Sequence, residues 1–156
     1  MTRWRYPLGL VAWLWLALSA GYGGSRFTPG PWYEALAKPA WTPPDAVFPV
    51  VWTALYLLMG YAAFRVWYRH GLAGARIALG LWLLQLVLNF AWSWLFFGRH
   101  ALGAACIELT LLWGLILATF QAFRQRDRLA ALLLLPYLAW VGYAWALNFT
   151  IWRLNA

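Results

Sequence analysis

At 65% hydrophobic and 10% charged, with mean hydropathy +0.63, this chain of 156 residues is far more apolar than an average soluble domain and reads as an integral membrane protein. A formal charge of +8 would suggest nucleic acid for a soluble protein, but here the basic residues bracket apolar runs, so topology accounts for them and no nucleic-acid partner is expected. The single cysteine, Cys106, excludes an intramolecular disulfide and reads as a small apolar packing residue.

Uncharged stretches at 6–25, 46–64, 77–98 and 129–152, with 101–123 broken only by Glu108, each approach the roughly 20 residues that a helix needs to cross about 30 Å of hydrocarbon. They predict an all-α integral membrane bundle of five transmembrane helices, at about 6–25, 46–69, 77–98, 101–123 and 129–152, forming one domain over 1–156. Following five crossings, one face receives Arg3, Arg5, Arg65, Arg69, Arg76, Arg124, Arg126 and Arg128, and the other Arg26, Lys38, Arg99 and Arg153. The richer face is expected to be cytoplasmic, which places the N-terminus inside, in a bacterial cell membrane.

The first stretch has a second reading as a signal peptide, since Arg3 and Arg5 precede an apolar run ending in Leu18-Ser19-Ala20-Gly21. Residues 22–45 form the longest connection and hold Pro29, Pro31, Pro39, Pro43 and Pro44; prolines fix φ and restrict their predecessors, so an ordered lid is expected. Thr42-Pro43-Pro44-Asp45 suits the start of the second helix, whose Phe48, Trp52 and Tyr56 share one face. On the third helix Gln85, Asn89, Trp92 and Phe96 share a face; the two amides are either interhelical glue or part of a binding site. Residues 98–101 leave so little room that the third and fourth helices must be antiparallel neighbours. On the fifth, Tyr137, Trp140, Ala144 and Leu147 align, and Pro136 predicts a kink.

Nine of the fourteen tryptophans, Trp13, Trp15, Trp52, Trp82, Trp92, Trp94, Trp113, Trp140 and Trp145, lie at least five residues inside the flanking charges, where each indole N–H needs a partner. Trp4, Trp67 and Trp152 are expected as interface anchors and Trp32 and Trp41 as lid residues, while Trp52, Trp92 and Trp140 share the interior faces. Trp52, Trp92, Glu108 and Ala144 are each seven to nine residues from the end of their span, about 10 to 14 Å below the face that carries the proline-rich loop. A pocket under a lid is therefore expected. Glu108, the one acidic residue within a span, is a candidate for proton-coupled transport or a structural partner of Arg99, His100 or an indole. His70 and His100 lie on opposite faces and no cluster has metal-ligand spacing, so no metal site is expected. Paired carboxylates, a Ser/His/Asp arrangement and a phosphate loop are likewise missing.

Trp32-Tyr33, Leu36, Lys38-Pro39, Trp41-Thr42-Pro43-Pro44, Phe48, Val51-Trp52, Leu55-Tyr56, Gln85, Asn89, Trp92, Phe96-Phe97-Gly98 and Pro136-Tyr137-Leu138-Ala139-Trp140 through Leu147-Asn148 resemble the TspO/MBR family of tryptophan-rich sensory proteins and translocator (peripheral benzodiazepine receptor) proteins. The resemblance implies a five-helix homodimer that binds protoporphyrin IX or haem, and benzodiazepine-type ligands, with no resident cofactor. It implies a ligand pocket that includes Tyr33, Trp52, Asn89, Trp140, Ala144 and Leu147; with the facing residues Phe48, Tyr56, Gln85 and Trp92, these are the expected ligand-binding set. In members that degrade protoporphyrin IX with light and oxygen, Trp52 and Trp140 match the implicated, catalytic tryptophans. Two departures from the family are visible: Ala104 replaces a tryptophan of animal members, and Phe149 replaces the tyrosine of a sterol-associated motif. That motif is also matched loosely by Leu58, Tyr61 and Arg65, so it argues little for a sterol.

Overall fold

The computed structural model describes residues 5–156; Arg3 and Trp4, read above as a topology signal and an anchor, lie outside them. The chain is all-α: α1 (Arg5–Gly24), α2 (Pro31–Ala35), α3 (Val47–Ser93), α4 (Leu102–Arg124), α5 (Arg128–Leu132) and α6 (Leu135–Leu154), with a wider π turn at Trp94–Gly98. Among the described residues, Val47–Gly98, Leu102–Arg124 and Arg128–Leu154 are long and apolar enough to cross a membrane. The protein is an integral membrane bundle.

The run Val47–Gly98 is 52 residues long, far more than one crossing needs. It doubles back at Gly71, whose φ of 67° is left-handed and costs glycine little. The connection expected across 70–76 thus shrinks to one residue, with helix on both sides. Antiparallel contact between the two arms is recorded by Trp82, whose indole N–H donates to the Met59 carbonyl at 3.1 Å, and by the Tyr56–Asn89 hydrogen bond. Small residues let these arms approach: Ala62, Ala63, Ala75 and Ala78 are completely buried between larger Met59, Leu79 and Trp82.

α1 lies antiparallel to the first arm of α3, and three glycines set its distance. A Cβ on Gly60 would stand 3.0 Å from the Leu14 Cα and the Trp13 carbonyl oxygen, so the two backbones pack directly. Gly9 lies under the Trp67 ring and Gly21 under the Tyr56 ring. Trp67, read as an anchor, therefore packs on α1, with its ring 6.4 Å from that of Trp13.

The expected fifth helix is two. Asp127 caps α5 by accepting the Ala130 N–H at 3.1 Å, and α6 begins afresh with Pro136 in its first turn, where a missing N–H costs nothing. The proline thus starts a helix instead of kinking one. Asp127 also ties α5 to α3 through Arg65 at 2.9 Å and Arg69 at 3.2 Å. Burial opposes its charge, but the Ala130 N–H and the two guanidiniums outweigh that and hold the carboxyl below its ordinary value. Between α3 and α4, Arg99 bonds back to the Trp94 carbonyl and Ala101 to Leu95, which turns the chain within a few residues and leaves His100 at φ 55°.

Candidate functional site

The segment between α1 and α3 is closed on itself at one place and pinned to the bundle at three. Lys38 Nζ donates to the carbonyls of Tyr33, Glu34 and Leu36 and so closes the end of α2, where cations are favourable. Trp32 stacks on His100 with ring centroids 3.9 Å apart. Tyr143 donates to the Trp41 carbonyl at 2.8 Å, and the Asn155 amide brackets Ala37 by accepting its N–H and donating to its carbonyl. These contacts hold Tyr33, only 5% exposed, against Phe96 and Phe97. Burial, then Asp45 and Tyr143, raise the Tyr33 phenol above its ordinary value, so it stays a neutral donor.

Under this lid is a cavity of about 430 Å³, within the ordinary range for small-molecule sites. Phe48, Trp52 and Tyr56 of α3's first arm line it, as do Asn89 and Trp92 of the second and Ala144 and Leu147 of α6, with Tyr33 above. Eight of the ten expected ligand-binding residues thus border one space. Further lining comes from Gly21 and Gly24 of α1 and from Phe27, Thr28, Pro29, Asp45, Phe97, Asn148 and Ile151. Asn148 had a usable signal, a lone amide one turn beyond Ala144 on the same helix face. Phe27 and Thr28 had none, since loop residues carry no periodicity.

Gln85 and Trp140 stand outside the wall. Gln85 is 1% exposed and accepts from the Tyr137 hydroxyl at 2.7 Å while its amide contacts Met59 Sδ at 3.7 Å; it is interhelical glue. Trp140 packs on Phe48, 6.0 Å between centroids, and on Tyr143, and its buried indole N–H has no partner among the described residues. Other indoles are satisfied: Trp92 donates to Asn148 Oδ1, Trp113 to the Leu138 carbonyl and Trp145 to Thr110 Oγ1. Glu108 also lies outside the wall, 6% exposed, and neither carboxylate oxygen has a hydrogen-bond partner among the described residues. The expected pairing with Arg99, His100 or an indole is not made.

The floor is a polar layer within an apolar bundle. Tyr56 donates to Asn89 Oδ1, Asn89 Nδ2 donates to the Tyr137 hydroxyl at 3.0 Å, and Tyr137 donates on to Gln85. Each group orients the next, so the Asn89 amide is presented to the cavity in one direction and keeps one N–H uncommitted. Above it the walls are aromatic and the mouth carries Asp45, Thr28 and the Tyr33 phenol. Such a site favours a broad, flat apolar body with a few polar groups. Among the described residues, no group of three His, Cys, Asp or Glu could hold a metal ion.

The TspO/MBR family model matches residues 11–153. The chain belongs to the TspO/MBR family. It is 44% identical to Protein CrtK of Rhodobacter capsulatus over 140 residues, covering 87% of this chain and 86% of that one. Similarity to Tryptophan-rich protein TspO of Chlorobaculum tepidum is 42% over 155 residues, covering 95% and 96%. Similarity to the human Translocator protein is 44% over 146 residues, covering 90% and 86%. The family match begins within α1 and ends within α6, and so includes the residues of the lid and of the cavity wall.

Proposed function

We propose that this protein is a membrane receptor or sensor that binds a tetrapyrrole, protoporphyrin IX or haem, in the cavity under the pinned lid, as a homodimer. The observation that carries the reading is the pairing of aromatic walls, Trp52, Trp92, Phe48 and Tyr33, with a polar floor at Asn89. Aromatic faces suit stacking on a macrocycle, while Asn89, Tyr33 and Thr28 suit its few polar substituents. Among the described residues the wall contains no His, Cys or Met, so a haem would be held by its ring, with the Tyr33 and Tyr56 phenols and the Asp45 carboxylate as candidate oxygen donors to its iron. Benzodiazepine-type ligands, also flat and apolar, would occupy the same space, whereas nothing in the cavity selects for a sterol.

Protoporphyrin IX is expected to quench tryptophan fluorescence saturably, and Trp52→Phe to weaken it. Quenching that never saturates, or that matches free tryptophan in detergent, would remove the proposal. A second reading, degradation of the porphyrin with light and oxygen, is favoured by Trp52 bordering the cavity with its ring 5.7 Å from Tyr56 and 6.2 Å from Tyr137. It requires that illumination bleach bound porphyrin faster than free porphyrin, and that Trp52→Phe slow the bleaching more than Trp140→Phe, since Trp140 packs behind Phe48 and does not border the cavity. Transport coupled to Glu108 gains nothing from the geometry, because that carboxyl does not border the cavity.

A further inference from the structure

The end of the bundle opposite the lid carries a charge imbalance that the cavity does not use. Arg65, Arg69, Arg76, Arg124, Arg126 and Arg128 gather there, and Asp127 is the one acid among them; the other three acids of the chain are Glu34 and Asp45 beside the lid and Glu108 within α4. Asp127 is spent internally. One of its oxygens accepts the Ala130 N–H, and the other holds Arg65 and Arg69 together, leaving its side chain 2% exposed.

This pairing orients Arg69 without covering it. Its Nε faces Asp127, its side chain is 56% exposed, and among the described residues its two Nη groups are left for another acceptor. Arg126 is likewise fixed, with Nη1 on the Ala122 carbonyl and Nε on the Gly74 carbonyl across the bundle, while its own carbonyl contacts His70. Arg76, Arg124 and Arg128 are exposed at the same end of the bundle. A guanidinium fork held by its Nε edge presents paired N–H groups that match a phosphodiester. The arginines terminate apolar spans, the level at which a bilayer supplies that group.

We propose that Arg69, aimed by Asp127, and Arg126, held by the Ala122 and Gly74 carbonyls, form with the neighbouring exposed Arg128 a binding site for the headgroup of an anionic phospholipid. Diffuse attraction of a basic face to an anionic membrane makes the opposite prediction at one position. Asp127→Asn raises the net charge by one and keeps the α5 cap, so diffuse attraction would strengthen; a built site loses its organising carboxylate and weakens.

The test is native mass spectrometry of the full chain released from detergent containing equal phosphatidylglycerol and phosphatidylcholine. The parent protein is expected to retain phosphatidylglycerol selectively, Arg69→Gln and Asp127→Asn each to lose about tenfold in retention, and Arg153→Gln, at the other end of α6, to retain it. Arg69→Gln leaves Asp127 paired with Arg65 and Ala130, so it reports even if Asp127→Asn does not fold. Retention in Asp127→Asn equal to or above the parent's, unchanged retention in Arg69→Gln, no lipid selectivity in the parent, or displacement of the lipid by millimolar inorganic phosphate would each overturn the proposal.

Discussion

Tyr137→Phe removes one oxygen atom from the layer under the cavity and nothing else. Tyr137 is completely buried, and its hydroxyl both donates to Gln85 and accepts from Asn89. Ring volume is conserved, so no cavity penalty arises. Two hydrogen bonds disappear and leave a Gln85 oxygen and an Asn89 N–H buried without partners. Interhelical bonds within membranes average about 0.6 kcal/mol each and reach about 1.7, so the loss should be about 1 to 3 kcal/mol. Titration of the purified protein from dodecylmaltoside into sodium dodecyl sulfate, followed by tryptophan fluorescence, would measure it. The same change releases the Asn89 amide, so protoporphyrin IX should bind about 2- to 10-fold more weakly. Combining Tyr137→Phe with Gln85→Leu should cost less than the sum of the two, since the second change removes a group already orphaned. A single-variant loss under about 0.3 kcal/mol, within the ordinary error of additivity, would refute the view that this layer holds the cavity floor.

Three further outcomes follow from packing and charge. Gly60→Ala should destabilise by about 1 to 3 kcal/mol in the same titration, because its methyl would press on the α1 backbone; Gly114→Ala, with no atom within 4 Å of the new methyl, should be close to neutral, and equal effects would contradict the direct α1–α3 contact. Glu108→Leu should raise the midpoint, since two buried oxygens without partners among the described residues are replaced by apolar surface; a marked fall would contradict this and mean that the carboxyl has a partner beyond those residues. The Asp127 carboxyl is held below its unfolded value, so its contribution is complete above about pH 4 and is lost as pH falls through the folded value. The stability gap between parent and Asp127→Asn should therefore be constant from pH 6 to 8 and close in acid, and a gap independent of pH down to about 3 would count against the ion pairs.

The long apolar runs were legible because burial in lipid demands them, but the joints between them were not. Hydropathy reads Arg69-His70-Gly71 through Arg76 as a loop, since charge interrupts the run, yet helical geometry continues on either side of a single left-handed residue. Pro136 was visible as a breaker, whereas its place at the start of α6 depends on Asp127 capping a separate turn. The lid was legible as ordered from its prolines, but not its pins: Asn155 meets Ala37 across 118 residues, and His100 meets Trp32 through a loop with no pattern of its own.

Within the cavity, periodicity identified faces correctly and depth incorrectly. Gln85 and Asn89 share a face of α3 one turn apart, yet only Asn89, nearer the lid, borders the space; on α6, Ala144 borders it while Trp140 stands behind the wall residue Phe48. Both helices leave the cavity at one level, where Tyr137 bridges Asn89 to Gln85. A helical repeat specifies which way a side chain points, but the floor of a cavity is set by which side chains from different helices meet across it. Here that meeting is between a phenol on α6 and two amides on α3, so the lower boundary of the site is a hydrogen-bonded contact that no single helix encodes.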